Sequence, residues 1–232
     1  MKKVLALVAT AALFGSVAFA EKVVEVGLKG GVILNVGTKL EDLISNEIEK
    51  IGNKKLAVGG DIGIFGHFGF GDMEKIAFSL QSEVFFSLGN GIKYEAKANS
   101  EYTAKLKYTS MDIALLVGCD IPLGKARLTP FLGPKVGIPL GKMKEEDEYY
   151  GIKQTYEYNM KGATIGMDFG VGLAIPLGHF VLGADVRYGI DFNKMKIKEK
   201  VYDDYGYYYG EIEMDFLRRG ALGINITAGY RF

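Results

Sequence analysis

Two histidines, His67 and His179, are the only side chains in this 232-residue chain whose ordinary titration range suits acid–base work near neutral pH. A hydrolytic site would need one of them beside a nucleophile or carboxylate, yet the chain carries no HExxH, no GxSxG and no paired His/Cys metal spacing. Each histidine borders a short turn, so both read as structural or solvated groups, and a non-enzymatic protein with no cofactor and no metal is expected. Glu145-Glu146-Asp147-Glu148 offers the oxygen donors a hard cation takes, but a run of acids in a connection reads first as a solvated face. Gly63, Gly66, Gly69 and Gly71 have dinucleotide-loop spacing with no helix after them, and Asn225-Ile226-Thr227 matches a glycosylation pattern inside a strand. Cys119 is the sole cysteine, so no intrachain disulfide forms.

The chemistry that remains is charge pairing and aromatic contact. Glu25, Lys29, Asp61, Glu83, Asp112, Arg127, Lys135, Asp168, Asp185, Arg187 and Arg231, with Asp191, recur among small residues on one face of successive extended segments. Acids and bases brought to one enclosed face pair with each other, because an unpaired buried charge is costly. Tyr202, Tyr205, Tyr207, Tyr208 and Tyr209 crowd one connection, and exposed tyrosine gives large contact area at low entropic cost, so this is a candidate surface-binding loop for an extracellular protein ligand. The alternative is that these rings pack on neighbouring hairpins or sit at a membrane interface.

The elements that must position these residues are strands. From Leu222 to Phe232 the even positions are apolar or aromatic and the odd ones small or polar, a period of two. The same alternation runs through Val24–Val36, Leu56–Phe70, Ile76–Leu88, Leu106–Ile121, Ala126–Leu140, Ala163–Ile175 and Phe180–Phe192. The fifth of these, Ala126–Leu140, is weakened by Pro130 and Pro134. Eight strands thus alternate between short turns (71–75, 122–125, 176–179) and long connections (38–55, 89–105, 141–161, 193–218). Leu40, Leu43, Ile44, Ile48 and Ile51 have helical spacing and predict a short amphipathic helix in the first long connection. The second and fourth keep alternating and read as extended hairpins, whereas 141–161 reads as a charged, tyrosine-bearing loop.

Lys2 and Lys3, the apolar run Val4–Phe14 and Ala18-Phe19-Ala20 before Glu21 have the layout of a secretory signal, so residues 1–20 are expected to be removed and 21–232 to form one domain. Beyond it no apolar run is long enough for a spanning helix, and only a closed barrel could cross a membrane. With 28 basic and 28 acidic residues, the balance disfavours nucleic acid as a partner. Face chemistry orients the barrel: one face is almost free of charge, as lipid requires, and the other mixes charge with glycine, as a narrow lumen requires. The opposite orientation would give a soluble, lipocalin-like carrier of an apolar ligand.

Gly27-Leu28-Lys29-Gly30-Gly31, Leu80-Gln81-Ser82-Glu83-Val84-Phe85-Phe86-Ser87, Leu132-Gly133-Pro134, Asp168-Phe169-Gly170-Val171-Gly172, Asp185-Val186-Arg187-Tyr188-Gly189 and the closing Gly229-Tyr230-Arg231-Phe232 resemble the small bacterial outer-membrane β-barrel domain family of OmpX/OmpA-like and PorT-like proteins. The resemblance implies an all-β, eight-stranded antiparallel up-and-down transmembrane barrel in the outer membrane of a diderm bacterium, with four long extracellular loops and short periplasmic turns. It also implies that Tyr230 and Phe232 serve as an assembly signal read by the barrel-assembly machinery. The expected function is display of long loops at the cell surface, for adhesion, host interaction or envelope integrity, over a plugged lumen; a narrow-channel transport barrel is the rival.

Overall fold

A computed structural model describes residues 22–37, 39–40, 52–71, 74–96, 102–149, 152–202 and 208–232. The leader, most of the expected amphipathic helix and residues 97–101 of the second long connection lie outside the described residues. Those described form a single antiparallel sheet of thirteen strands. They are β1 (Lys22–Leu34), β2 (Lys39–Leu40), β3 (Gly52–Lys55), β4 (Val58–Phe70), β5 (Ala77–Ala96), β6 (Tyr102–Leu123) and β7 (Ala126–Tyr149). After these come β8 (Ile152–Lys161), β9 (Thr164–Leu177), β10 (Phe180–Asp191), β11 (Met195–Tyr202), β12 (Tyr208–Arg218) and β13 (Gly220–Arg231).

Eight of these, β1, β4, β5, β6, β7, β9, β10 and β13, close on themselves. Neighbours in sequence pair, and β1 joins β13 from Glu25↔Arg231 to Leu34↔Leu222. The fifth expected strand lies within β7, the longest of them at 24 residues. Its register with β9 is unbroken from Arg127↔Ala174 to Gly137↔Thr164, whereas rungs on the β6 side are missing opposite Pro130 and Pro134. The prolines forfeit bonds on one flank only, and the other flank holds the strand in place.

The outer face of this eight-stranded tier is apolar and open to its surroundings, with Leu28, Ile62 and Ile226 at 66%, 61% and 72% exposure. The inner face carries the charges, and Glu25, Lys29, Glu83 and Asp112 are buried. Among the described residues no helix is long and apolar enough to cross a membrane.

The walls continue past this tier as a second one, made by β3, the outer halves of β5, β6 and β7, then β8, β11, β12 and β2, in the same order around the axis. Here the expectation of a loop over 141–161 is corrected: β7 runs on to Tyr149 and pairs with β8 from Tyr149↔Ile152 to Lys142↔Asn159, because Lys142, Lys144, Lys153 and Glu157 alternate outward with inward Met143. In this tier the faces are exchanged. Ile92, Leu106, Tyr108, Met143, Met195, Ile197 and Leu217 form a buried apolar cluster on the axis, with Tyr158 and Met160 packed against it. On β5 the exchange needs a backbone device, since its oily even positions face outward at Phe86 and inward at Ile92. An extra residue between Ser87 and Asn90, with Gly89 at φ 70°, turns the strand over. Gly91 then lies so close to β6 that a Cβ there would sit 1.7 Å from the Leu106 carbonyl oxygen.

Replacing Ile226, at mid-height on the outer face, with Arg is expected to cost about 2–4 kcal/mol in unfolding from lipid vesicles. Asn159→Arg, on the outer face of the second tier, should stay within about 0.5 kcal/mol. Equal costs would mean that lipid does not bound the first tier.

Candidate functional site

The alternation of the eight membrane strands delivers one charged or small side chain into the lumen at every second residue, and the narrow barrel brings them together in three layers. Nearest the short turns, Glu25 of β1 accepts a forked pair of hydrogen bonds from Arg127 of β7 at 2.9 and 2.7 Å. It also accepts two from Arg231 of β13 at 3.0 and 2.7 Å. Beside them His67 Nε2 stands 2.9 Å from Asp120, whose other oxygen accepts from Thr129 at 2.7 Å. Glu25, His67, Gln81, Arg127 and Thr129 line a cavity of about 40 Å³, room for roughly three waters.

At mid-height Arg187 of β10 is the hub. Its Nη2 donates to Glu83 at 2.9 Å, its Nε donates to Asp185 at 2.8 Å, and its guanidinium lies 5.0 Å from the centre of the Phe131 ring. Lys29 is 3.2 Å from Glu83 and 3.4 Å from Asp185, and Asn225 donates to Asp185 at 2.8 Å. Asp61 is buried at the same level with its Oδ1 unpartnered. In the layer toward the hairpins Lys135 bridges Asp168 and Asp191, both at 3.2 Å. Arg219 there grips Asp112 with both terminal nitrogens and lies 3.5 Å from Asp191, while Ser87 and Ser110 donate to Asp112 at 2.8 and 2.9 Å.

Of the twelve charged residues that the sequence alternation names for this face, eleven are buried and Arg231, its side chain 23% exposed, stands partly open at the rim. The alternation also sets Asp120 and His67 on the inward faces of their strands without pairing them, and it passes over one partner, Arg219. Arg219 is legible by running the odd-position alternation of the last strand back past Ala221. Eight Asp and Glu side chains (Glu25, Asp61, Glu83, Asp112, Asp120, Asp168, Asp185 and Asp191) face six Lys and Arg side chains (Lys29, Arg127, Lys135, Arg187, Arg219 and Arg231). The arrangement is suited to filling and bracing a lumen. Among the described residues no cluster of three His, Cys, Asp or Glu could hold a metal ion.

Above these layers sits the apolar cluster of the second tier. On the β7–β8 hairpin Tyr158 donates to Glu145 at 2.8 Å, and burial raises the Glu145 carboxyl above its ordinary value of 4.5, against the lowering effect of the Tyr158 bond and with a further push from Asp147. At the opposite end of the barrel Tyr230 stacks on His179 at 5.5 Å and meets the edges of Phe180 and Phe232 at 5.9 and 5.1 Å. The Phe232 amide donates to the Val24 carbonyl at 3.0 Å, tying the last residue to the first strand. Of the tyrosine cluster, Tyr202 and Tyr208 make the last register pair of the β11–β12 hairpin and Tyr209 follows on β12. Tyr205 and Tyr207 lie outside the described residues.

A closed barrel of eight strands, oily outside and charged within, defines a membrane-spanning barrel protein. Residues 19–195 match the outer membrane protein beta-barrel domain, and the chain belongs to that family. It is an outer-membrane protein of a diderm bacterium, with lipid against its apolar face. Among solved structures, a major outer membrane protein from Thermus thermophilus aligns over 92% of this chain and all of its own, at 12% identity and a TM-score of 0.54. OprG from Pseudomonas aeruginosa aligns over 90% of this chain and 95% of its own, at 12% identity and 0.46. Ail, the attachment invasion locus protein of Yersinia pestis, does so over 93% and 100%, at 13% and 0.40. No curated protein sequence matches the chain.

Two outcomes test this geometry. Glu83→Ala strands Lys29 and Arg187 without their shared carboxylate and should cost about 3–5 kcal/mol in urea unfolding from lipid, while Glu83→Ala with Arg187→Ala should cost clearly less than the two single losses added. Additive losses would dissolve the network into independent contacts. The second concerns pH. A carboxyl whose folded value is raised binds its proton more tightly folded than unfolded, so Glu145 weakens the hairpin at pH 7 and the hairpin firms as pH falls toward 4.5. Amide protection across 142–161 should therefore rise from pH 7 to pH 5, and Glu145→Gln should remove that rise; an unchanged slope would put its source elsewhere.

Proposed function

We propose that this protein is a non-enzymatic surface-display barrel, whose filled lumen serves as a rigid footing for hairpins that carry a binding surface beyond the membrane. The carrying observation is that charge pairs occupy the lumen in three layers beneath a second tier sealed by its own apolar cluster. A pore would leave such groups to water, and an enzyme would leave a polar cleft at the outer rim; burial of Met143, Ile92 and Leu217 there supplies neither. The strands instead run on as hairpins, the means by which a small barrel lifts contact residues clear of the lipid. Tyr202, Tyr205, Tyr207, Tyr208 and Tyr209, at one hairpin end, are the residues assigned to contact, with an extracellular protein as ligand. Tyr230 and Phe232, at the other end, are assigned to recognition by the assembly machinery, and residues 1–20 to export and removal.

The excess of acidic over basic side chains in the lumen favours one second reading, a narrow cation-selective channel. In planar bilayers the display reading expects no stable single-channel steps; reproducible steps that change on Arg187→Ala would favour the channel. Adherence separates display from an inert barrel. A non-adherent bacterium expressing the chain should gain binding to cultured epithelial monolayers, and should lose it when residues 203–207 are replaced by Asn-Gly with the heat-sensitive gel mobility retained. Adherence that survives the replacement would remove the tyrosine hairpin from the role.

A further inference from the structure

The edge of the β7–β8 hairpin is complementary to itself, and from that we infer that the protein docks a second copy of this chain, held in a facing outer membrane, by antiparallel pairing along β8. Toward β11 the β8 ladder has three rungs among the described residues, Lys196↔Lys161, Ile197↔Met160 and Lys198↔Asn159, and then stops. Above them Ile152–Glu157 pairs with β7 on one flank, with no strand among the described residues on the other, and every side chain of that span is exposed. Such an edge offers a row of N–H and C=O groups to a chain that can lie along it. It belongs to a different hairpin from the tyrosine cluster and does not depend on it.

The order of the side chains selects the occupant. Laid antiparallel on itself about Thr155, the strand sets Lys153 opposite Glu157 of the second copy, Gln154 opposite Tyr156, and Thr155 opposite Thr155. Opposite charges and facing threonines are favourable cross-strand pairs. Within one copy Lys144 is in register with Glu157, and Glu148 with Lys153. Two copies therefore make a four-stranded sheet, β7–β8–β8–β7, whose outer face carries Lys144, Glu157, Lys153 and Glu148 in one row, the sign alternating at each step. A slide of two residues sets Lys153 against Thr155 or Asn159, and a slide of four sets Lys153 against Lys153 or Glu157 against Glu157. The charges can be drawn into the new row. Lys153 is 75% exposed and 3.8 Å from Glu148, and Glu157, 42% exposed, is 2.8 Å from Lys142; exposed pairs of this kind are weak and exchangeable. On the other face Ile152, 65% exposed, comes to lie against Tyr158 of the second copy.

Strand direction decides which membrane holds that copy. β8 runs from the hairpin tip back toward the membrane tier, so an antiparallel mate runs away from that tier and its barrel points the opposite way. The two-fold axis at Thr155 thus joins barrels of two facing membranes rather than neighbours in one. Each contact is small, and many in parallel hold two surfaces together.

The test uses the full chain in phosphatidylcholine vesicles of two fluorescent colours, with folding checked by heat-sensitive gel mobility and two-colour clustering counted by fluorescence cross-correlation. Wild-type vesicles should cluster across colours. Lys153→Glu alone, or Glu157→Lys alone, places like charges on both sides of the axis and should reduce clustering by roughly tenfold or more. One variant in each colour should restore clustering to within about twofold of wild type, because each supplies the charge the other has lost. Independently, Thr155→Cys in a Cys119→Ser chain should form disulfide-linked dimers between a tagged and an untagged vesicle population under mild oxidation, and Glu148→Cys in the same background should not. Wild-type vesicles that stay apart overturn the self-pairing and leave the edge to a strand of another protein. A mixture of the two charge variants that clusters no better than either alone also overturns it, as do Thr155→Cys dimers confined to one population.

Discussion

Everything in this structure depends on the hydrocarbon layer's refusal to hydrogen-bond. A backbone N–H or C=O left open there costs several kcal/mol, so a sheet that crosses must have no edge. The seam where the edge disappears is the ladder between the first and last strands, from Glu25↔Arg231 to Leu34↔Leu222. It joins residues about 200 positions apart in sequence. The seam is reinforced where it starts, because Arg231 also donates its side chain to Glu25 and the Phe232 amide reaches the Val24 carbonyl. Closure thus waits on β13 meeting β1, and the aromatic cluster of Tyr230, Phe180 and Phe232 packs beside that seam.

Closing only eight strands leaves a narrow lumen that side chains largely fill, and this accounts for both halves of the interior chemistry. Charged side chains project from one strand into the room left by glycine on another. A Cβ at Gly189 would lie 2.5 Å from an Asp168 oxygen and 2.6 Å from the Lys135 nitrogen, so that glycine is what lets the Lys135 pairing form. The ion pairs are not a cheap source of stability, since desolvation offsets much of their attraction. They lock the interior to one arrangement, with Lys29, Arg127, Lys135, Arg187 and Arg219 each shared between acids from different strands, as Arg187 is shared between Glu83 of β5 and its own neighbour Asp185.

The membrane tier was legible in the sequence because lipid imposes a strict rule on every second residue, and eight segments obey it. The same rule points to the charged interior, and Arg219 escaped it because the alternation starts at Leu222, three residues later. The second tier was hidden for a different reason. Outside the membrane the oily side of a strand turns inward, so Leu106, Met143 and Ile197 look in sequence like any amphipathic hairpin and do not reveal that they share one core. The segment 141–161 hid best, since its charges and tyrosines suit solvent whether it is loop or strand. On β5 the apolar parity runs through without a mark while the bulge at Ser87/Asn90 reverses its meaning. No count of alternating residues reports an inserted one.

That inserted residue has a bearing on how such chains diverge. A strand has two sides, so a gain or loss of one residue between Leu88 and Ile92 would carry Ile92 out to water and a lysine into the apolar core, whereas a change of two would leave the sides unaltered. Length variation among descendants of this hairpin should be tolerated in even steps, or in odd steps matched by the loss of the bulge itself. The hairpin can grow or shrink over generations, but parity is inherited.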